Sequence, residues 1–179
     1  MISAVVLAAG AATRFGSPKQ LLLLPYVLEG LRAAPIDEVV IVAGAYPIEP
    51  EELPDLEDAR VVVCPEWELG PGASLRCGLA ALGDDVDSAI VVLADGPDLA
   101  PATILRVVDA WRAHGDDVLA ASYGGERGHP VLIARSAWHT VPDEGARALA
   151  PLLVPCDDLG PPGDVDYPDD LPGRFREES

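Results

Sequence analysis

Lys19 is the only lysine in a chain of 179 residues, and it shares with Arg14 a stretch from Met1 to Leu28 that contains no Asp or Glu. Elsewhere the protein is strongly acidic, with a formal net charge of −18. Both cations fall within VVLAAGAATRFGSPKQ, Val5 to Gln20, where an apolar run breaks into a loop carrying Gly10 and Gly16. A strand feeding a glycine-containing, cationic loop is the form of a phosphate cradle. The loop is not a P-loop, because Ser17 and Pro18 follow Gly16 where Lys and Ser or Thr are needed, and the glycine spacing is one residue too long. Nor is it the dinucleotide fingerprint, which needs glycine at position 12, occupied here by Ala12.

Candidate metal ligands stand further along. In VVLADGPDL, Asp95 ends an apolar run and Gly96-Pro97 turns the chain immediately after it. A strand-end carboxylate facing a phosphate loop suits Mg²⁺, which takes one or two carboxylates together with phosphate oxygens. The competing reading, equally weighted, is that Asp95 caps the following turn. In DVDYPDDL, Asp164 and Asp166 alternate around Val165, and Pro168 opens a short last helix with Asp169 and Asp170 as capping residues. Asp166 is the second candidate ligand, since a cation would relieve the repulsion in this acidic run. A solvated charge run is the simpler account.

Two more stretches bear on binding. GPGASLRCGL sets Ser74 at a helix start, where free amides take an anion or hydrogen-bond a base or ribose, unless they are merely capped. GGERGHPVLI is a glycine-rich hairpin in which His129 is a candidate substrate contact, whereas His114 and His139 lie on helices and read as surface or structural residues. No nucleophile elbow accompanies a Ser/His/Asp set, which disfavours a hydrolase.

The elements that must position these residues follow from the apolar pattern. Near-continuous runs at Ala4–Leu7, Val39–Val42, Arg60–Val63, Ala89–Leu93, Val118–Ala121, Val131–Ile133 and Leu152–Val154 read as buried strands. Helices are expected at Leu28–Ala33, Ala73–Leu82 and Ala102–Ala113, the last opened by Pro101. The alternation predicts a mostly parallel α/β sheet, whose ligands bind beyond the carboxyl ends of the strands. One domain over 1–179 is the expectation for this length. Leu21–Leu24 run straight into Pro25 with little room for a turn. The apolar runs are too short to span a bilayer and no targeting pattern precedes them, so a soluble, cytoplasmic protein is expected. The acidity disfavours nucleic acid and anionic membrane surfaces as partners. Cys64, Cys77 and Cys156 are odd in number and lack a Cys-x-x-Cys pair, which argues for buried thiols rather than disulfides or zinc.

Taken together, LAAGAATRFGSPKQLL, VVLADGPDL, WELGPGASLRCGL, GERGHPVLI and DVDYPDDL resemble, in order, the signatures of the MobA-like NTP transferases, the molybdenum cofactor nucleotidyltransferases. The LAAG form with PKQ is similar to the cytidylyl branch. The resemblance implies a Rossmann-like nucleotide-diphospho-sugar transferase fold with helices on both faces of the sheet. It further implies that Leu7, Ala8, Ala9 and Gly10 contact the nucleotide through backbone, with Ser74 on the same ligand. Arg14 and Lys19 would neutralise the triphosphate, Asp95 and Asp166 would hold Mg²⁺ or Mn²⁺, and His129 would touch the acceptor. The implied reaction moves CMP from CTP to a phosphate monoester, molybdopterin first among them, and releases pyrophosphate. A sugar phosphate acceptor is the alternative, as is a non-catalytic role delivering cofactor to a molybdenum hydroxylase. The chain departs from the family at the short PKQLLLLPY connection, at Gly96 after the Asp, and at Tyr167 in place of Thr.

Overall fold

The computed structural model describes residues 1–11, 19–49 and 59–171. Seven strands form one sheet: β1 (Ile2–Ala8), β2 (Glu38–Ala43), β3 (Ala59–Val63), β4 (Ser88–Leu93), β5 (Val118–Tyr123), β6 (Glu126–Ala134) and β7 (Leu152–Pro155). Their order is β3-β2-β1-β4-β6-β5-β7. The first four run parallel to one another, with Val5 beside Val40 and Val91. β6 pairs antiparallel with both β4 and β5, and β7 returns parallel to β5. This is the mostly parallel α/β sheet expected from the apolar runs. Successive side chains of a strand point to opposite faces, and here both faces are covered. Val6, Ile41 and Ile90 pack against helices α1 (Lys19–Arg32) and α3 (Pro101–His114). Val5, Val40 and Val91 pack with Leu75 and Leu79 of α2 (Pro71–Ala80) on the other face.

α1 is longer than the sequence suggested. It starts at Lys19 and runs through Pro25, where only Leu28–Ala33 was expected to be helical. An internal proline costs about 3 kcal/mol. Against that, Leu23, Leu24, Val27, Leu28 and Leu31 are all buried, each contributing about 1.5–3 kcal/mol. Burial wins, and Leu21–Pro25 needs no room for a turn because it is itself part of the helix. α3 begins at Pro101 as predicted, whereas α2 begins at Pro71 and ends at Ala80, two residues earlier at each end than the expected Ala73–Leu82. α3 ends at Gly115, whose φ of 73° is the left-handed conformation that glycine adopts without strain.

The cysteine reading is corrected by the packing of α2 on the sheet. Cys64, directly after β3, is disulfide-bonded to Cys77 of α2, with Cα atoms 5.8 Å apart. An odd count speaks only to the residue left over, here Cys156, which is free and buried as expected. Gly78 explains the close approach: a Cβ there would lie 2.5 Å from Val5 Cγ1 and 2.8 Å from Val42 Cγ2.

After β7 the chain returns as a strap across the carboxyl end of β4. Asp98 N–H donates to the Pro162 carbonyl at 2.8 Å and Val165 N–H to the Asp95 carbonyl at 3.2 Å. Val165 is buried in a small satellite cluster with Leu23, against Tyr26 and Leu171. No helix among the described residues is long and apolar enough to cross a membrane.

Candidate active site

The strap sets two acids beside a third. Asp95 follows β4, and Val165 is anchored inward, so its neighbours Asp164 and Asp166 project together toward the same strand end. One oxygen from each of Asp95, Asp164 and Asp166 lies within 4.8 Å of the others. Lys19 stands among them, buried at 7% exposure. Its Nζ is 3.0 Å from Asp95 Oδ2 and 3.4 Å from Asp166 Oδ1, and it also donates to the Val165 carbonyl. An ammonium at the first turn of a helix opposes the helix dipole. The acids compensate that cost, and they are what hold Lys19 there.

The cluster remains electrostatically unbalanced, with three carboxylates against one ammonium among the described residues. Burial, then repulsion from Asp95 and Asp166, raises the Asp164 pKa above the usual carboxylate value, with Lys19 acting in the opposite sense. Asp95 Oδ1 is buried without a hydrogen-bond partner among the described residues, a position that costs the desolvation of the oxygen without return. A hard divalent cation takes oxygen donors of this kind and would satisfy both the lone oxygen and the excess charge. The donor set therefore fits Mg²⁺ or Mn²⁺. Asp170 has a separate task, since its Oδ2 accepts from the Asp166 and Tyr167 amides at 3.2 and 2.8 Å, the capping expected of it.

A cleft of about 500 Å³ opens beside this cluster and includes Lys19, Asp95 and Asp166 in its lining. Leu7, Ala9 and Gly10, at the end of β1, form its floor. Ala8 differs from them in packing its side chain into the core below α1 and α3. The opposite wall runs from the 3-10 turn Trp67–Leu69 into α2, with Trp67, Glu68, Gly70, Pro71 and Ser74 facing the cleft. Trp67 is packed tightly onto the ends of β1 and β2, for a Cβ on Gly44 would come within 2.7 Å of both Ala9 O and Trp67 Cβ.

The start of α2 is not an open set of amides. Pro71 has none, and Gly72 N–H is spent on the Asp143 carbonyl at 3.0 Å. A Cβ at Gly72 would stand 2.1 Å from the Pro142 carbonyl oxygen. Ser74 is buried and lies on the cleft, so this wall offers a side chain and packed surface rather than a free helix terminus. His129 is placed elsewhere. It lines a small separate cavity with Gly96, Leu99 and Gly163, behind the Asp95 turn and not on the main cleft. Burial first, and Arg127 second, lower its pKa to about 4 against the opposing pull of Asp95, so the ring is neutral near pH 7. Arg14 lies outside the described residues. His114 ends α3 and His139 sits in a 3-10 turn, both off the cleft.

Thus Leu7, Ala9, Gly10, Lys19, Ser74, Asp95 and Asp166 share one cleft. Asp164 was visible as part of an alternating pair but not singled out as a ligand. The signal that finds it is the two-residue period around an apolar residue, which places both acids on one side when that residue is buried. Trp67 and Glu68 open the WELGPGASLRCGL stretch but were not singled out as site residues.

A family model described as the MobA-like NTP transferase domain matches residues 4–153. A nicotine blue oxidoreductase from Paenarthrobacter nicotinovorans is 31% identical over 192 aligned positions, covering 92% of each chain. Among solved structures, Rv0371c from Mycobacterium tuberculosis H37Rv is 30% identical with a TM-score of 0.78, over 99% of this chain and 98% of that one. A second structure of Rv0371c, described as a complex with manganese, aligns with a TM-score of 0.70 at 26% identity, over 98% and 96% of the two chains. A nucleotidyl transferase from Methanothermobacter thermautotroptrophicus shares the fold, with a TM-score of 0.75 at 22% identity over 99% of this chain and 95% of that one.

Proposed function

We propose, for a chain that belongs to the MobA-like NTP transferase family and is thus a nucleotidyltransferase, that it transfers CMP from CTP to a phosphate monoester of the molybdopterin type. The unit that does so is a single NTP transferase domain over 1–179. The observation that carries this reading is the grouping of Asp95, Asp164 and Asp166 around Lys19 at one end of the cleft. In this reading the backbone from Leu7 to Gly10 and the Ser74 side chain receive the nucleoside. Arg14 and Lys19 neutralise the triphosphate. Nucleotidyl transfer needs little covalent chemistry from a protein beyond alignment of the reactants and compensation of developing charge. Asp95, Asp164 and Asp166 would hold Mg²⁺ or Mn²⁺, which supplies charge neutralisation of the phosphate oxygens when bound. Lys19 would exchange its carboxylate partners for phosphate oxygens as the site fills.

The acceptor would approach the α-phosphorus from the side of the Asp95–Gly96 turn, with His129 nearby as a neutral hydrogen-bonding group. Its phosphate oxygen forms the new P–O bond as the bond to pyrophosphate breaks. Oxidoreductase activity, named for one relative, is not carried over, because Ala12 stands where the dinucleotide fingerprint requires glycine. The test is pyrophosphate release with each NTP, a divalent cation and molybdopterin. Release with CTP above the other nucleotides supports the proposal. Release only with another NTP, or only with a sugar phosphate, moves the substrate; nucleotide binding without release favours a role in cofactor delivery.

A further inference from the structure

The disulfide between Cys64 and Cys77 has a position that none of the chemistry above uses. The two cysteines are thirteen residues apart, and the chain between them contains Trp67, Glu68, Gly70, Pro71 and Ser74, the whole cleft-facing set of the α2 wall. Closing that ring fixes the wall covalently at both ends. At the first end Cys64 is fully buried and its amide donates to the Ala43 carbonyl at 2.8 Å, the last rung of β2. At the other, Cys77 is half-buried on α2, against a fully buried Cys64, which makes it the more exposed residue of the pair. In the bonded state Cys64 Sγ lies 3.7 Å from the Ala73 carbonyl, an acceptor that a Cys64 thiol would meet on reduction without changing place.

We infer that Cys64 and Cys77 form a reversible thiol–disulfide pair whose closure pre-organises the nucleotide wall and whose reduction weakens nucleotide binding. The inference rests on the cleft being the nucleotide site. A thiolate of a dithiol reductant bonds to Cys77 Sγ and breaks the Cys77–Cys64 bond, and Cys64 leaves and takes up a proton. The reductant's second thiol then displaces Cys77, so two electrons and two protons pass to the pair and the reductant becomes a disulfide. An oxidised small-molecule disulfide reverses the sequence. In reducing compartments such bonds are mostly transient and redox-sensing. Holding a wall in its bound form raises affinity by cutting the ordering cost of binding.

The experiment uses the full chain in oxidised form and after treatment with a dithiol reductant. The oxidised, denatured protein should show one reactive thiol, Cys156, and the reduced protein all three. Calorimetric titration with CTP and Mg²⁺ should give affinity about 5-fold or more weaker after reduction, consistent with lost pre-organisation. Cys77→Ser should bind as the reduced protein does and ignore the reductant; wild-type reduction is the control should that variant misfold. Hydrogen exchange of the amides from 66 to 70 should quicken on reduction, and this reads the pair even if no NTP binds, an outcome that defeats the proposed function alone. Three reactive thiols under every oxidant would overturn the inference. So would affinity and exchange that are the same in both states.

Discussion

The two walls of the cleft are built on opposite terms. The β4 and strap wall is a crowd of like charges, three carboxylates around one buried lysine. It is held by two backbone hydrogen bonds and the small cluster around Val165. The α2 wall is fixed by a disulfide and by Gly72 N–H on the Asp143 carbonyl, and Arg76 ties it to the Val141 carbonyl and to Asp143 at 3.1 and 2.9 Å. One wall stores electrostatic repulsion that a ligand can relieve, whereas the other offers a surface already in place. That division suits a transferase, in which one side neutralises charge and the other recognises what carries it.

Removing the central ligand should separate the walls most sharply. Asp95→Ala is expected to lower turnover by about 1,000-fold or more, the scale of losing charge compensation at a reacting phosphate, while CTP affinity falls far less; steady-state kinetics beside calorimetric titration read both. Lys19→Ala should cost turnover about 100-fold. It should also lower the thermal midpoint of the metal-free protein, because Asp95 and Asp166 lose their ammonium. Scanning calorimetry with added Mn²⁺ should recover part of that midpoint, since a bound cation stabilises the state that binds it.

Asp164→Asn tests the stored repulsion directly. The folded-state pKa of Asp164 is raised, so its contribution to stability is full below the unfolded value, near 3.8, and is lost as pH rises through the folded value. At neutral pH the carboxylate is therefore a cost, and the variant should melt slightly higher without metal. Its Mn²⁺ affinity, by titration, should fall about 10-fold, the scale on which a changed metal-site residue acts. The mildest expectation concerns His129, whose pKa is lowered to about 4. The unfolded ring takes a proton below pH 6.5 and the folded ring only near 4, so stability present above pH 6.5 declines as pH falls through that window. Urea titrations across it should show the decline in the wild type and a flatter profile in His129→Gln.

How much of this could be read beforehand divides along physical lines. The inner strands could, because they are buried on both faces and leave continuous Val, Ile and Leu runs; β3 and β7 were also expected to be buried, but as the edges of the sheet they are largely exposed or half-buried. The strand-end position of Asp95 could also be read, since Gly96-Pro97 forces the turn after it. α1 could not, because a local signal at Pro25 was outweighed by five buried side chains supplied by the rest of the fold. The disulfide was hidden because pairing depends on where β3 and α2 meet, not on how many cysteines exist. The occupied amide of Gly72 depended on a carbonyl seventy-one residues away, in the 142–143 segment. His129 was found by its motif, yet its separate cavity was set by how the strap crosses the Asp95 turn.

The central claim is that the acidic cluster and Lys19 form the reacting end of an NTP site. Pyrophosphate release from CTP with Mg²⁺ and molybdopterin, measured on the wild type and on Asp95→Ala side by side, tests it most directly. The account predicts sustained release in the first and near-complete loss in the second, with the fold intact by circular dichroism. Equal release from both proteins would contradict it.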